Sequence, residues 1–228
     1  MLSPMEVTGR VRTHITQIAT PRFAAQPDAA AAFLDLKSAA AREGFDIEPF
    51  SAFRDYKTQL RIWNHKFSGK KPLYTKEGEP RDFSQLNEEQ IVRHILDWSA
   101  LPGASRHQWG TEIDVIDRAA VVEGYVPQLL PQETTLGGVF HPLHLWLDQN
   151  IADYDFFRPY KRYQGGMFEE PWHLSYAPGS LSAIEALSVD LLVSVTEEAE
   201  ILGKEVLMDI IPDIYKNHVL NFVGPDDQ

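Results

Sequence analysis

The sequence predicts an α+β fold, in which a small, mainly antiparallel sheet is covered by helices and followed by a helical C-terminal extension. Three observations predict it. Short stretches with the two-residue alternation of strands are set among longer stretches with helical spacing. The last forty-odd residues are helical in pattern almost throughout. At 228 residues and 43% hydrophobic content, the chain can bury one substantial core.

Taken in order, Asp28 reads as a helix N-cap, Phe33, Leu36 and Ala40 recur at helical spacing, and Gly44 follows as a stop. Residues 45–54 partly alternate as in a strand, and Pro49 within them marks an edge or a bulge. Residues 56–67 read as a second helix with Leu60, Trp63 and Phe67 on one face, ended by the Ser, Gly, Lys and Pro of residues 68–72. Residues 70–84, rich in Lys, Glu, Pro and Gly, read as a surface excursion. Asn87 with Gln90 three positions later has the form of a capping box, ahead of a buried stripe of Ile91, Ile95 and Trp98. Residues 111–117 alternate like a strand, with Ile113 and Val115 on one face and Glu112 and Asp114 on the other.

After a long loop containing Gly137 and Gly138, residues 142–154 carry Leu143, Trp146, Leu147 and Ile151 as an amphipathic helix with Pro in its first turn. Residues 172–176 are short, aromatic and strand-like. Gly203 and Pro212 are expected to divide the helical segment 181–222. No repeat or linker separates domains, so residues 1–228 read as a single domain with a core of about 28–178 and a helical elaboration of about 180–222.

Composition narrows the function. The 33 acidic against 21 basic residues give a net charge of -12, which repels nucleic acid and anionic membrane surfaces. There is no cysteine, so disulfides, thiolate metal sites and cysteine nucleophiles are excluded. Any metal must be held by His, Asp or Glu. No apolar run approaches the roughly 20 residues of a membrane span. The first residues lack a basic stretch followed by an apolar one, so the chain reads as cytoplasmic, or periplasmic if a leader has been removed.

The most informative stretch is Ser105-Arg106-His107-Gln108-Trp109-Gly110-Thr111-Glu112-Ile113-Asp114, followed later by Glu170-Pro171-Trp172-His173. A hydrolytic zinc needs three protein ligands and one open position for water. His107, Asp114 and His173 fit that count, and Gly110 lets the chain turn between the loop bearing His107 and the strand bearing Asp114. Glu112 shares a face with Asp114 and is the alternative carboxylate ligand, ranked below it. A nearby carboxylate outside the ligand set can move protons, and Glu170 is the candidate. In an extended segment Glu170 and His173 would face opposite ways, so a turn at Pro171 must bring both toward the metal. Carboxylate in the ligand set also admits divalent metals other than zinc.

These residues resemble the zinc D-alanyl-D-alanine carboxypeptidase and dipeptidase family, the VanY and VanX type of LAS-like zinc peptidases. Its hallmark is Ser-x-His-x-x-Gly-x-x-x-Asp followed by Glu-x-x-His, and both halves are present. The resemblance implies one zinc per chain on His107, Asp114 and His173, with Glu170 as general base. Phe53-Arg54-Asp55-Tyr56-Lys57-Thr58-Gln59 is similar to the family's Tyr-Arg-Ser-x-x-x-Gln segment, with Phe and Asp replacing Tyr and Ser. It implies that Arg54 clamps a carboxylate or the polarised carbonyl, with Ser105 and Gln59 orienting the substrate. Trp172, between Glu170 and His173, is expected to wall the pocket.

The expected activity is therefore removal of a terminal D-Ala from peptidoglycan stem peptides or precursors, with DD or LD specificity left open. Two alternatives stand beside it: an endopeptidase of the same family, and a non-catalytic module that binds cell-wall peptides. His141 and His144 form a tempting second pair, but they lack a third partner and read as structural. Trp63, Trp98 and Trp146 read as core anchors.

Overall fold

Strand and helix segments follow the sequence periodicities closely in the structure, a computed structural model describing residues 1–228. In chain order it contains α1 (Pro4–Val7), β1 (Thr16–Ile18), β2 (Phe23–Ala25), α2 (Pro27–Arg42), β3 (Ile47–Ser51), α3 (Tyr56–Phe67) and α4 (Glu88–Leu96). There follow β4 (Glu112–Asp117), α5 (His141–Asn150), β5 (Phe156–Phe157), β6 (His173–Tyr176), α6 (Ala177–Glu185), α7 (Val189–Glu198) and α8 (Lys204–Ile214). Strands β1 and β2 form a separate hairpin, and the main sheet has the order β3-β4-β6-β5 with every pairing antiparallel.

Alternation along the central strand β4, buried at every residue, decides which side of the sheet does what. Ile113 and Val115 point into an apolar core with Leu174 of β6, Ile47 of β3, Phe33 and Leu36 of α2, and Leu143 and Leu147 of α5. Fully burying each such side chain contributes roughly 1.5–3 kcal/mol, so α2 and α5 are bound firmly to that face. The same alternation sends Glu112 and Asp114 to the other face. There the register sets Asp114 opposite His173 and Glu112 opposite Ser175. Strand β3 lies at the sheet edge, and its pairing with β4 slips between Pro49 and Ser51, the bulge expected of a proline without an N–H to give.

A second core is built from helices. Trp63 of α3, Ile91 and Ile95 of α4, Leu192 of α7, and Leu207 and Ile211 of α8 are among its buried members. The cavity described below opens between this helical layer and the polar face of the sheet. No single helix is long and apolar enough to cross a membrane.

Several expectations need correction. Gln26 occupies the N-cap position of α2 without a side-chain capping bond and the helix starts at Pro27, so Asp28 lies in its first turn, where its charge meets the positive end of the helix dipole. The buried stripe of α4 is completed by Val92 and Leu96; Trp98 lies past the helix end and lines the cavity. The fifth helix starts at His141 and stops at Asn150, tightening into a 3-10 turn over Ile151–Tyr154. Gly203 does divide the C-terminal helices, in a left-handed conformation at the start of α8, but Pro212 lies inside α8 without ending it. A single missing hydrogen bond is absorbed there, and the chain runs on into a π-helical turn, Tyr215–Val219. The excursion at 70–84 is mostly exposed, yet its Leu73 is buried and its Lys71 and Tyr74 line the cavity.

Candidate active site

Directly opposed residues of an antiparallel pair hold their Cβ atoms roughly 4.5–5.5 Å apart, which brings Asp114 of β4 and His173 of β6 together by register alone. His107 arrives from the 3-10 turn Arg106–Trp109 ahead of β4, where a plain loop was expected. Gly110 then makes the reversal at φ 74°, and a Cβ there would collide with Ile15 and press on the backbone nitrogen of Gln26. As a result His107, Asp114 and His173, all buried, each offer a ligand atom within 4.8 Å of the others.

Each imidazole is oriented through its far nitrogen. His107 Nδ1 lies 2.8 Å from the Ala52 carbonyl oxygen, which makes it the donor and leaves Nε2 bare, 3.4 Å from Asp114 Oδ2. His173 Nε2 lies 2.7 Å from Glu112 Oε2, and its Nδ1 faces Asp114 Oδ1 at 3.1 Å and Glu170 Oε2 at 3.4 Å. Despite that closeness, Asp114 Oδ1 and His173 Nδ1 have no hydrogen-bond partner of proper geometry. Buried polar atoms left so cost about 1–3 kcal/mol each, and a divalent cation between them would satisfy both. The donor set, two imidazole nitrogens and a carboxylate, suits zinc.

Electrostatics in the cluster are strongly coupled. Burial works against charge on Asp114, but His107 and His173 outweigh it and hold the carboxyl well below the usual range. Burial likewise opposes ionisation of Glu112, and Arg106 and His173 overcome it, holding the group at about 2. His173 is raised well above an ordinary histidine, because Asp114, Glu112 and Glu170 together exceed the desolvation that would lower it.

Glu112 therefore does not compete with Asp114 as a ligand. It is fully buried, lies outside the cavity lining, and binds the back of His173 while accepting from Ser175 Oγ at 2.8 Å and Thr111 Oγ1 at 2.9 Å. Arg106 completes the group, with Nε 3.3 Å from Glu112 and the guanidinium 4.7 Å above the Trp109 ring.

The turn needed at Pro171 is present. His173 N donates to Glu170 O at 3.0 Å, so Glu170 and His173 both line a cavity of about 340 Å3. Arg54, Ser105 and Trp172 line it too, and Trp172 stacks on Trp98 at 6.4 Å and 14° between planes. Trp63 is a core anchor as expected, whereas Trp98 is not. Trp146 packs half-buried against the core beneath the sheet.

Gln59 departs from expectation. It is fully buried behind Arg54, accepting from Arg54 Nη1 at 2.8 Å and donating to the Ala100 carbonyl at 2.8 Å. With both ends of its amide occupied it steadies Arg54 and does not line the cavity. His141 and His144 stay apart from the site: His141 meets the Thr134 carbonyl and His144 meets Arg158.

Sequence reasoning overlooked Lys66, Ser99, Arg106 and Tyr160, all in the lining. The spacing of Gln59, Ile62 and Lys66 along α3 was the available signal for Lys66.

A model of the VanY family, D-alanyl-D-alanine carboxypeptidase, matches residues 22–179, a span that contains every residue from Arg54 to His173. The chain belongs to the VanY family. It is accordingly a peptidase of the D-alanyl-D-alanine carboxypeptidase type. Two uncharacterized proteins of Haemophilus influenzae are similar to it. One is 33% identical over 122 residues, covering 53% of this chain and 93% of the relative; the other is 38% identical over 103 residues, covering 44% and 70%.

Among solved structures, VanYB in complex with D-alanine-D-alanine superposes with a TM-score of 0.53 at 20% identity, covering 81% of this chain and 89% of that one. A glutamate-to-alanine variant of the VanY D,D-pentapeptidase from a VanB-type resistance cassette, in complex with Zn(II), gives 0.50 at 20% identity, covering 85% and 88%. At that identity both comparisons establish the VanY fold.

Proposed function

We propose that this VanY-family protein is a zinc-dependent carboxypeptidase that removes the terminal D-Ala from peptidoglycan stem peptides or their precursors. The observation that carries the reading is the convergence of His107, Asp114 and His173 on the floor of a cavity that also holds Glu170. Zinc, when bound, supplies a Lewis acid and brings the pKa of its water down to about 7.

The protein's own groups do the rest. Ala52 and Glu112 fix the two ring orientations, so that His107 Nε2 and His173 Nδ1 are the nitrogens presented. Glu170, outside the ligand set, takes a proton from the attacking water and returns it to the leaving amine nitrogen. Arg54 lies near enough to Asp114 and Glu170 for their charges to oppose the lowering of its pKa by burial. Its guanidinium stabilises the negative charge that grows on the carbonyl oxygen. Trp98 and Trp172 form an aromatic wall that keeps bulk water from the reacting bond.

The test is incubation of zinc-loaded protein with a muropeptide ending in D-Ala. Free D-Ala should appear, and Glu170→Ala should keep its metal while losing turnover by a factor of at least 100. Full turnover by Glu170→Ala would defeat the role assigned to that residue, and no D-Ala from the wild type would defeat the activity.

A further inference from the structure

Lys66 stands on the cavity face of α3, one turn beyond Ile62, and its surroundings are unusual for an ammonium. Its Nζ donates to Ser99 Oγ at 2.6 Å, which engages one of its three protons. No carboxylate lies within ion-pair distance of it, which is common for exposed cations of this chain but not for one held half-buried in a cavity wall, where water screens it less. Burial lowers its pKa to about 8 despite the nearby charge of Glu170, with Arg54 and Lys71 adding to the lowering. A cation so placed is costly unless an anion enters the cavity to meet it.

We propose that Lys66 and Ser99 form the subsite for the free carboxylate of the substrate's last residue, so that the cavity takes the end of a peptide and not its middle. This rests on the carboxypeptidase reading above and names its specificity device. Of the four cations in the lining, Arg106 is paired with Glu112, and Lys71 is exposed to solvent; Arg54 and Lys66 are half-buried without a carboxylate partner, and they divide the work. Arg54 adjoins the metal cluster, its backbone N–H donating to the His107 carbonyl at 3.1 Å, and serves the reacting carbonyl; Lys66 stands near the far end of α3, tied to Ser99, and serves the terminus. A carboxylate has two oxygens to place. One meets the Lys66 ammonium. The other meets the hydroxyl of Ser99, whose oxygen accepts from Lys66 and whose proton remains to be donated.

Calorimetric titration onto zinc-loaded Glu170→Ala protein separates binding from turnover. The ligands are N-acetyl-D-Ala-D-Ala and its C-terminal amide. The acid should bind at least tenfold more tightly than the amide. Lys66→Met in the same background should weaken the acid by roughly ten- to hundredfold, leave the amide unchanged, and so erase the preference. Lys66→Arg should restore part of it, which a merely packed side chain would not do. Equal binding of acid and amide by the parent, including no measurable binding of either, overturns the assignment, as does a preference that survives Lys66→Met. Tight, acid-selective binding without D-Ala release by the wild type would instead defeat the peptidase reading and leave the Lys66 subsite standing.

Discussion

A carboxylate buried behind an imidazole decides which ring nitrogen faces the other way, and Glu112 has that place behind His173, whose Nδ1 is turned toward Asp114. Replacing it with Ala removes the acceptor at 2.7 Å and frees the ring to rotate or change tautomer. Zinc affinity should fall by roughly 10–100-fold in competition with a chromophoric chelator, while Ser105→Ala leaves it unchanged. Undiminished affinity in Glu112→Ala would mean that packing alone orients the ring. The convergence of His107, Asp114 and His173 beside Glu170 was legible in the sequence because their residue types and spacing are unusual. Glu112 was legible only as a member of the right strand face. Whether a carboxylate there reaches forward to the metal or back to a ring depends on cross-strand neighbours, which a single strand does not reveal. Gln59 misled for a similar reason: a motif gives its position, but only the fold shows that Arg54 and the Ala100 carbonyl occupy its amide.

At the scale of elements, the site depends on the reversal between the 3-10 turn carrying His107 and the strand carrying Asp114. Gly110→Ala would place a side chain in a left-handed conformation and against Ile15, costing at least about 1–2 kcal/mol by the backbone term alone. Urea unfolding of the zinc-free protein should show that loss, and zinc affinity should drop with it. A neutral effect on both would show that the turn is dispensable. Strand β4, its two faces and the bulge at Pro49 followed from alternation and from proline's missing donor. Helix ends were less legible. Pro212 was expected to stop a helix, but the packing of Leu207, Ile211 and Ile214 in the helical core holds α8 together across it. Trp98 had helical spacing yet fell beyond the last turn of α4, where stacking on Trp172 is available to it.

Across the whole molecule, two cores meet around one polar cavity, and buried histidines far from it tie stability to pH. His144 is held neutral by burial and by Arg158, with a pKa of about 3; His218 is held at about 4 by burial and Arg93. Between their ordinary value and these lowered ones, the unfolded chain binds protons that the folded chain does not. Their stabilising contribution is complete above the ordinary value near 6.5 and is lost as pH falls toward 3–4. His144→Asn should therefore lose less stability than the wild type between pH 6.5 and 5, by roughly 2 kcal/mol in urea unfolding. Equal losses would mean that His144 takes up its proton in the folded state.

The most direct measurement is the zinc content of dialysed wild type, Glu170→Ala and His107→Ala proteins by elemental analysis. If three side chains hold the ion and the glutamate serves only to move protons, the first two should retain close to one zinc per chain and the third close to none. A wild type that retains no zinc, or a His107→Ala protein that retains as much as the wild type, would contradict the metal site on which the proposed chemistry depends.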